Sequence, residues 1–189
     1  MPPNNEPVDL VDPLIDTAKP AVRWPFSASA CRPLGIVKLS PDTEIDGTWG
    51  AGYRYHKDFI KCFSHIHNWQ LSGIPVMPAT GEVKGNLGPE HYQSPYSHNQ
   101  ETVAPGYHEV MLKDYDIKAE LTATTRVGFH RYHFPAVTAK KIIFDLGRKL
   151  GPSAMADVFL KKVNNKELAG YVENASTARR PKKCRIYFV

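Results

Sequence analysis

No stretch of this 189-residue chain comes near the roughly 18 consecutive apolar residues that a membrane-crossing helix needs. The opening "MPPNNEPVDL" is polar, with no apolar run behind Met1, so no export signal is expected in the chain as it stands. Cysteine is scarce. Cys31, Cys62 and Cys184 are odd in number, far apart and form no C-x-x-C, which argues against a disulfide framework and against a zinc ribbon. Helical periodicity is also missing: no window beyond about ten residues keeps apolar positions at i, i+3, i+4 and i+7. G-x-G-x-x-G, P-loop and G-x-S-x-G motifs are absent, so dinucleotide binding, P-loop phosphate chemistry and a serine-hydrolase elbow have no support.

What is present is ordinary globular composition, 42% apolar and 23% charged, enough for one domain with a core. The net charge of +5 is unevenly spread. Residues 1–139 hold 12 Lys/Arg against 15 Asp/Glu, whereas 140–189 hold 12 against 4, densest in Arg179-Arg180-Pro181-Lys182-Lys183-Cys184-Arg185. A groove that tracks nucleic acid interleaves basic residues with stacking aromatics over several elements. A basic patch confined to one end reads instead as a solvated or partner-facing surface, and no nucleic-acid partner is expected.

Sixteen prolines and thirteen glycines cut the chain into short alternating runs. "GIVKLS" (35–40), "FIKCFSHI" (59–66) and "IPVMP" (74–78) have strand length. The clearest pattern lies in 106–134. Val110 and Leu112 alternate with Met111 and Lys113, "DYD" turns the chain, and Ile117, Ala119, Leu121 and Ala123 alternate with polar residues. A period of two puts one set on a buried face, and three such strands with short connections make an antiparallel meander. Segments 140–147, 155–163, 166–172 and 184–189 are further strands, with Asn164-Asn165 as turn chemistry between two of them. About ten short strands predict an all-β, two-sheet antiparallel β-sandwich with few or no helices. The first ~30 residues and 85–105 read as long loops of the kind that are functional or pack against something. "CRIYFV" ends within an apolar run, so the expectation is a single, incomplete domain that belongs to something larger.

The densest polar and aromatic constellation is 46–73. Trp49 sits among Gly47, Gly50 and Gly52, and Trp69 is flanked by Asn68, Gln70 and Gly73. An indole offers a flat apolar face to a sugar ring, and neighbouring amides and imidazoles add directional hydrogen bonds. Trp49, Gly50, His65, His67, Trp69 and Gln70 are therefore the candidate substrate-binding residues. On a regular strand His65 and His67 would share a face and could meet one ligand, or simply be hydrogen-bonded sheet histidines. A third metal ligand has no supporting spacing, so no metal site is assigned. Asp42 and Thr43 after Pro41 read as turn formers, and no catalytic residue is assigned. Asn174-Ala175-Ser176 has the form of a glycosylation sequon.

"VDPLIDT" (11–17), "RPLGIVKLSPDT" (32–43), "GAGYRY" (50–55), "FSHIHNWQLSG" (63–73), "VMPATGEV" (76–83), the block 94–135 and "IIFDLG" (142–147) together resemble the N-terminal domain of glycoside hydrolase family 92, over roughly 11–189. That resemblance implies a β-sandwich (supersandwich-like) preceding an (α/α)6 catalytic barrel that this chain lacks. It implies a calcium-dependent, inverting exo-α-mannosidase, with an α-1,2 linkage favoured, acting on mannose-containing glycans. A glutamic acid would protonate the leaving oxygen while a carboxylate activates water on the opposite face. Those groups and most calcium ligands are implied to lie in the C-terminal catalytic domain, the chain's implied partner, so none is carried onto a residue here and the isolated chain is expected to be inactive. Loops around Trp49–Gly52 and His65–Gly73 are implied to wall the cleft. Segment 24–33 and the turn 67–73 depart from the family's glycine-rich patterns. Family members are often secreted or periplasmic, and the compartment of this one is open. The alternative is a stand-alone carbohydrate-binding or structural β-sandwich module without catalysis.

Overall fold

The computed structural model describes residues 6–15, 17–18, 30–46, 52–68, 70–136, 139–178 and 180–189, with Asn68 and residues 70–72 given by their backbone. Among these residues there are seventeen strands: β1 (Ala30–Cys31), β2 (Lys38–Asp42), β3 (Phe59–Ile60), β4 (Cys62–Ser64), β5 (Ile66–Asn68), β6 (Gln70–Ser72), β7 (Val76–Thr80), β8 (Ser94–Pro95), β9 (Glu101–Ala104), β10 (Tyr107–Leu112), β11 (Ile117–Ala123), β12 (Gly128–His133), β13 (Lys140–Phe144), β14 (Lys149–Leu150), β15 (Ser153–Asn164), β16 (Glu167–Asn174) and β17 (Cys184–Phe188). Four single-turn 3-10 helices accompany them, no α-helix occurs among the described residues, and no helix is long and apolar enough to cross a membrane.

The meander forms as its period dictates. β9, β10, β11 and β12 pair antiparallel in register, with Val110 opposite Ala119 and Leu121 opposite His130. Gly106 supplies the positive φ of +79° that the tight turn between β9 and β10 needs. Asp116 takes φ +50° at the β10–β11 turn, a conformation that Asp tolerates better than most residues. A second sheet runs in the order β1-β2-β4-β7-β13, so the chain leaves it for the meander after β7 and returns as β13. β1 and β2 lie against β10 and β11. The cluster between the sheets joins Leu39, Phe63 and Met77 to Val110, Leu112, Ile117 and Leu121. Complete burial of each such side chain contributes about 1.5–3 kcal/mol. This is the expected antiparallel sandwich.

The other face of the β1-β2-β4-β7-β13 sheet is covered as well. Cys62 packs there with Ile45 and Leu150, and Val76 with Ile74, Leu146 and Val172. Val172 belongs to a third sheet, β14-β15-β16-β17. Among the described residues that sheet is packed at one end, through Leu150, Met155, Val172 and Phe188. Most of β15 is exposed on both faces, and Phe159, Tyr171 and Tyr187 face one another across its three long strands. Part of the basic excess sits here, with Arg185 and Lys183 pairing Glu173 and the Arg185 guanidinium 4.2 Å from the Tyr171 ring centroid.

Three expectations change. The run 59–66 is broken at Lys61, whose N–H donates to the Asp42 carbonyl, so β3 pairs with β8 while β4 stays in the sheet. Segment 85–105 is not an open loop: Tyr92, Ser94 and Tyr96 are buried along it, and it carries three 3-10 turns and two strands. Asp42 is no turn former; it closes β2 with its side chain fully buried. The expected Asn164-Asn165 turn chemistry does join β15 to β16: the turn runs over Asn165-Lys166, and the Asn164 carboxamide oxygen accepts from the Lys166 N–H at 2.8 Å. The sequon asparagine, Asn174, ends β16 only 6% exposed, which closes it to a glycosylating enzyme in the folded chain.

Candidate functional site

β2 is the strand from which both sequence-selected segments are held. Beyond its end, Glu44 and Gly52 exchange backbone hydrogen bonds, closing the base of the loop between them. Gly52 has φ +116°, which a side chain would strain. The Thr43 hydroxyl accepts from the Arg54 N–H at 2.7 Å, tying the returning segment to the end of β2. Tyr53, next in sequence, is buried and donates to the Glu101 carboxylate, whose oxygens lie 2.8 and 2.9 Å away. Glu101 also faces His108 Nε2 at 2.8 Å and His98 Nδ1 at 2.6 Å, and His98 stacks flat on Tyr55 with ring centroids 3.7 Å apart. Burial alone would raise the Glu101 pKa, but the bonds from His108, His98 and Tyr53 outweigh it and the net shift is downward. Burial, and then the Glu101 charge, push the Tyr53 phenol far up. Tyr53 is a neutral donor to an ionised carboxylate that holds the loop's return.

The second segment is the hairpin of β5 and β6, in which Ile66 pairs with Ser72 and Asn68 with Gln70. His67 lies against β2, its Nδ1 2.6 Å from the Lys38 carbonyl oxygen and its Nε2 2.7 Å from Asp42 Oδ1. Both ring nitrogens face acceptors, so both carry hydrogens and the ring is an imidazolium paired with the Asp42 carboxylate. Burial would push the His67 pKa down; the Asp42 charge and the two hydrogen bonds outweigh it and raise it. The Cys62 thiol donates to Asp42 Oδ2 at 3.4 Å, and burial with the Asp42 charge holds it well above the usual thiol range. A thiol kept protonated in this way is no nucleophile.

His65 behaves differently. It occupies a bend between β4 and β5, so the regular alternation that would put it on one face with His67 is interrupted. Its Nε2 lies 2.8 Å from Nε2 of His130 on β12, and its Nδ1 3.3 Å from the Ile74 carbonyl oxygen. His130 Nδ1 lies 2.7 Å from the Tyr132 hydroxyl. Burial lowers the pKa of His65, and burial together with the neighbouring His65 ring lowers that of His130 to about 3. The ring nitrogens of His65 and His67 are committed to protein partners rather than converging on one point. Among the described residues no group of three or more His, Cys, Asp or Glu is arranged to hold a metal ion. The imidazoles and thiol gathered here do not suit calcium, which takes oxygen ligands.

Trp49, Gly50 and Trp69 lie outside the described residues, and Gln70 is described through its backbone in β6. Asp42, Glu101, His130 and Tyr132 escape sequence reading. The Asp42–His67, Glu101–Tyr53 and His130–His65 contacts join residues 25, 48 and 65 positions apart, and Tyr132 enters only through His130, so no local motif marks them.

The chain matches the model of the glycosyl hydrolase family 92 N-terminal domain over residues 10–189. No curated protein matches it. Among solved structures it is similar to the family GH92 alpha-mannosidase BT3965 from Bacteroides thetaiotaomicron, at 28% identity and a TM-score of 0.78, covering 88% of this chain and 24% of that one. The same enzyme in complex with mannoimidazole aligns at 27% identity and 0.77 over 88% of this chain and 23% of that one. The GH92 family glycosyl hydrolase ccman5 shares the fold at 24% identity and 0.74, over 95% of this chain and 25% of that one. The chain spans about a quarter of the length of these relatives.

Proposed function

The chain belongs to the glycosyl hydrolase family 92 N-terminal domain family, and from that premise we propose that it is the β-sandwich domain of an exo-α-mannosidase, forming a wall of the sugar cleft. The observation that carries this reading is the family match over residues 10–189, joined to 28% identity with an alpha-mannosidase over 88% of the chain. The mannoimidazole complex of that relative supports a mannose-like ring as the ligand. In this reading the catalytic acid and base reside in the longer enzyme outside these residues. They invert the anomeric centre of a terminal α-mannoside, with an α-1,2 linkage favoured and calcium supplied by ligands elsewhere. The chain's own part is presentation. In sequence Trp49 and Gly50 fall between Glu44 and Gly52, whose backbones pair, and Trp69 and Gln70 follow the segment 65–68 that His65 and His67 anchor. An indole against the apolar face of mannose and a carboxamide on its hydroxyls make a suitable contact set.

The test has two arms. The 189-residue chain is assayed on aryl and α-1,2-linked mannosides with and without calcium, and no turnover is expected. It is then titrated with mannose while tryptophan fluorescence is followed, in the parent chain and in Trp69→Ala. Calcium-dependent turnover by the chain alone overturns the division of labour. A flat titration, unchanged by Trp69→Ala, favours the purely structural alternative.

A further inference from the structure

The hairpin of β5 and β6 is tied to the sandwich by two neighbouring histidines through bonds of different kinds. On one side His67 donates to Asp42 and to the Lys38 carbonyl, both on β2. That is a charge-assisted tie, and Asp42 is shared with the Cys62 thiol of β4. On the other side His65 is joined across the sandwich to the outermost meander strand, β12, through His130 and Tyr132. One consistent set of hydrogens runs through this second chain. The Tyr132 hydroxyl donates to His130 Nδ1, His130 Nε2–H donates to His65 Nε2, and His65 Nδ1–H donates to the Ile74 carbonyl. Every member is neutral. His65 is also locked sterically, because Gly128 of β12 leaves space for it that a Cβ would fill at 2.8 Å from His65 Cδ2.

We propose that Asp42, His130 and Tyr132 are positioning residues for this hairpin, acting through His67 and His65, and that opening of the His65–His130 tie is coupled to proton uptake. The proposal rests on the reading that the hairpin borders the sugar cleft. Its physical basis is the set of charges around the two rings. The carboxylate that would balance a proton on His65 or His130 is Asp42, and Asp42 is already paired with His67. The His67 charge itself opposes protonation of His65, while Asp42 favours it weakly. Tyr132 and Cys62 are neutral, both held protonated by burial. Lys38 belongs to the same neighbourhood as an opposing charge on His67. A first proton therefore becomes a buried, unbalanced charge, and a second sets two N–H groups against each other across a 2.8 Å gap. Released into water, each imidazole accepts a proton at its ordinary value near 6.5. Opening is favoured as pH falls below about 6.5 and continues to gain down to the depressed folded value, about 3 for His130. The His67 tie has the opposite sign and weakens as pH rises through its raised value.

The test is amide exchange on the 189-residue chain, corrected for intrinsic rates, from pH 7 to pH 4.5. The Lys38 N–H, which donates to the His65 carbonyl, and the β5 amides are the reporters, and the amides between β10 and β11 are the internal reference. The opening constant at the reporters is expected to rise by up to about tenfold per pH unit below 6.5 for each proton taken up. In the His65→Gln/His130→Gln variant the rise is expected to disappear, and in Asp42→Asn the reporters are expected to open at neutral pH. Imidazole nitrogen shifts of the unaltered chain give a second reading that needs no variant. At pH 6, His67 is expected to be doubly protonated, and His65 and His130 neutral. Ordinary titration of His65 or His130 near 6.5 with Lys38 still protected overturns the proposal, as does a reporter opening that is flat with pH. A coupled opening in a chain whose fluorescence ignores mannose removes the cleft reading and leaves the anchor standing.

Discussion

Replacing Asp42 by asparagine leaves the His67 imidazolium buried without its anion. Breaking one side of a buried pair costs about 3–5 kcal/mol, and urea denaturation at pH 6 should show a loss of that order. The raised His67 pKa means that the pair's contribution is complete below about pH 6.5 and fades as pH rises through the folded value, so the deficit should shrink in alkaline buffer. Gly128→Ala acts on the neighbouring tie. The new carbon would meet His65 Cδ2 at 2.8 Å and Val37 Cγ1 at 3.3 Å, and His65 has little room to yield because both its nitrogens are bonded. A loss of about 1–3 kcal/mol is expected, read as a lower melting temperature at pH 7. Two histidines that look equivalent in "SHIH" thus differ in charge. The difference comes from a carboxylate on β2 and an imidazole on β12, neither near them in sequence.

Among the elements, the meander and the third sheet respond differently to substitution. Leu121 on β11 is 1% exposed within the intersheet cluster, and Leu121→Ala should cost about 2–5 kcal/mol in a global unfolding measurement. Gly170 on β16 is a local control. A Cβ there would sit 2.0 Å from the Phe159 carbonyl oxygen, so the β15–β16 backbone has to shift. Gly170→Ala is expected to raise amide exchange across β15 and β16 while leaving β10 and β11 protected. The meander could be read from the residues because every second side chain of β11 is buried and its turns carry Gly106 and Asp116. The broken run at 59–66 could not. What breaks it is the Asp42 carbonyl capturing the Lys61 N–H and Ser94-Pro95 pairing with Phe59-Ile60, both contacts between distant segments.

For the whole molecule, the third sheet governs behaviour in solution. Phe159 is 49% and Tyr187 70% exposed on one face, and Val158 and Leu160 are exposed on the other. An apolar strand surface of this kind drives association in water. The 189-residue chain is expected to self-associate with concentration in light scattering after size exclusion, and Phe159→Lys with Tyr187→Lys should shift it toward monomer. A monomer at high concentration with both aromatics in place would contradict this.

Alternation, turn residues and the absence of any helical stripe are local properties, so the residues alone determined an all-β chain, the position of the meander and the family to which the motifs point. Pairing of Asp42 with His67, of His65 with His130 and of Tyr53 with Glu101 was decided by tertiary structure, because sheet order brings those groups together. The charge of each follows from what burial places beside it. The same holds for Asn174, whose sequon is local but whose burial depends on the packing of β16. A sequence specifies which groups can ionise or bond, and only the assembled sheets set the dielectric, the neighbours and the exposure that choose among those states.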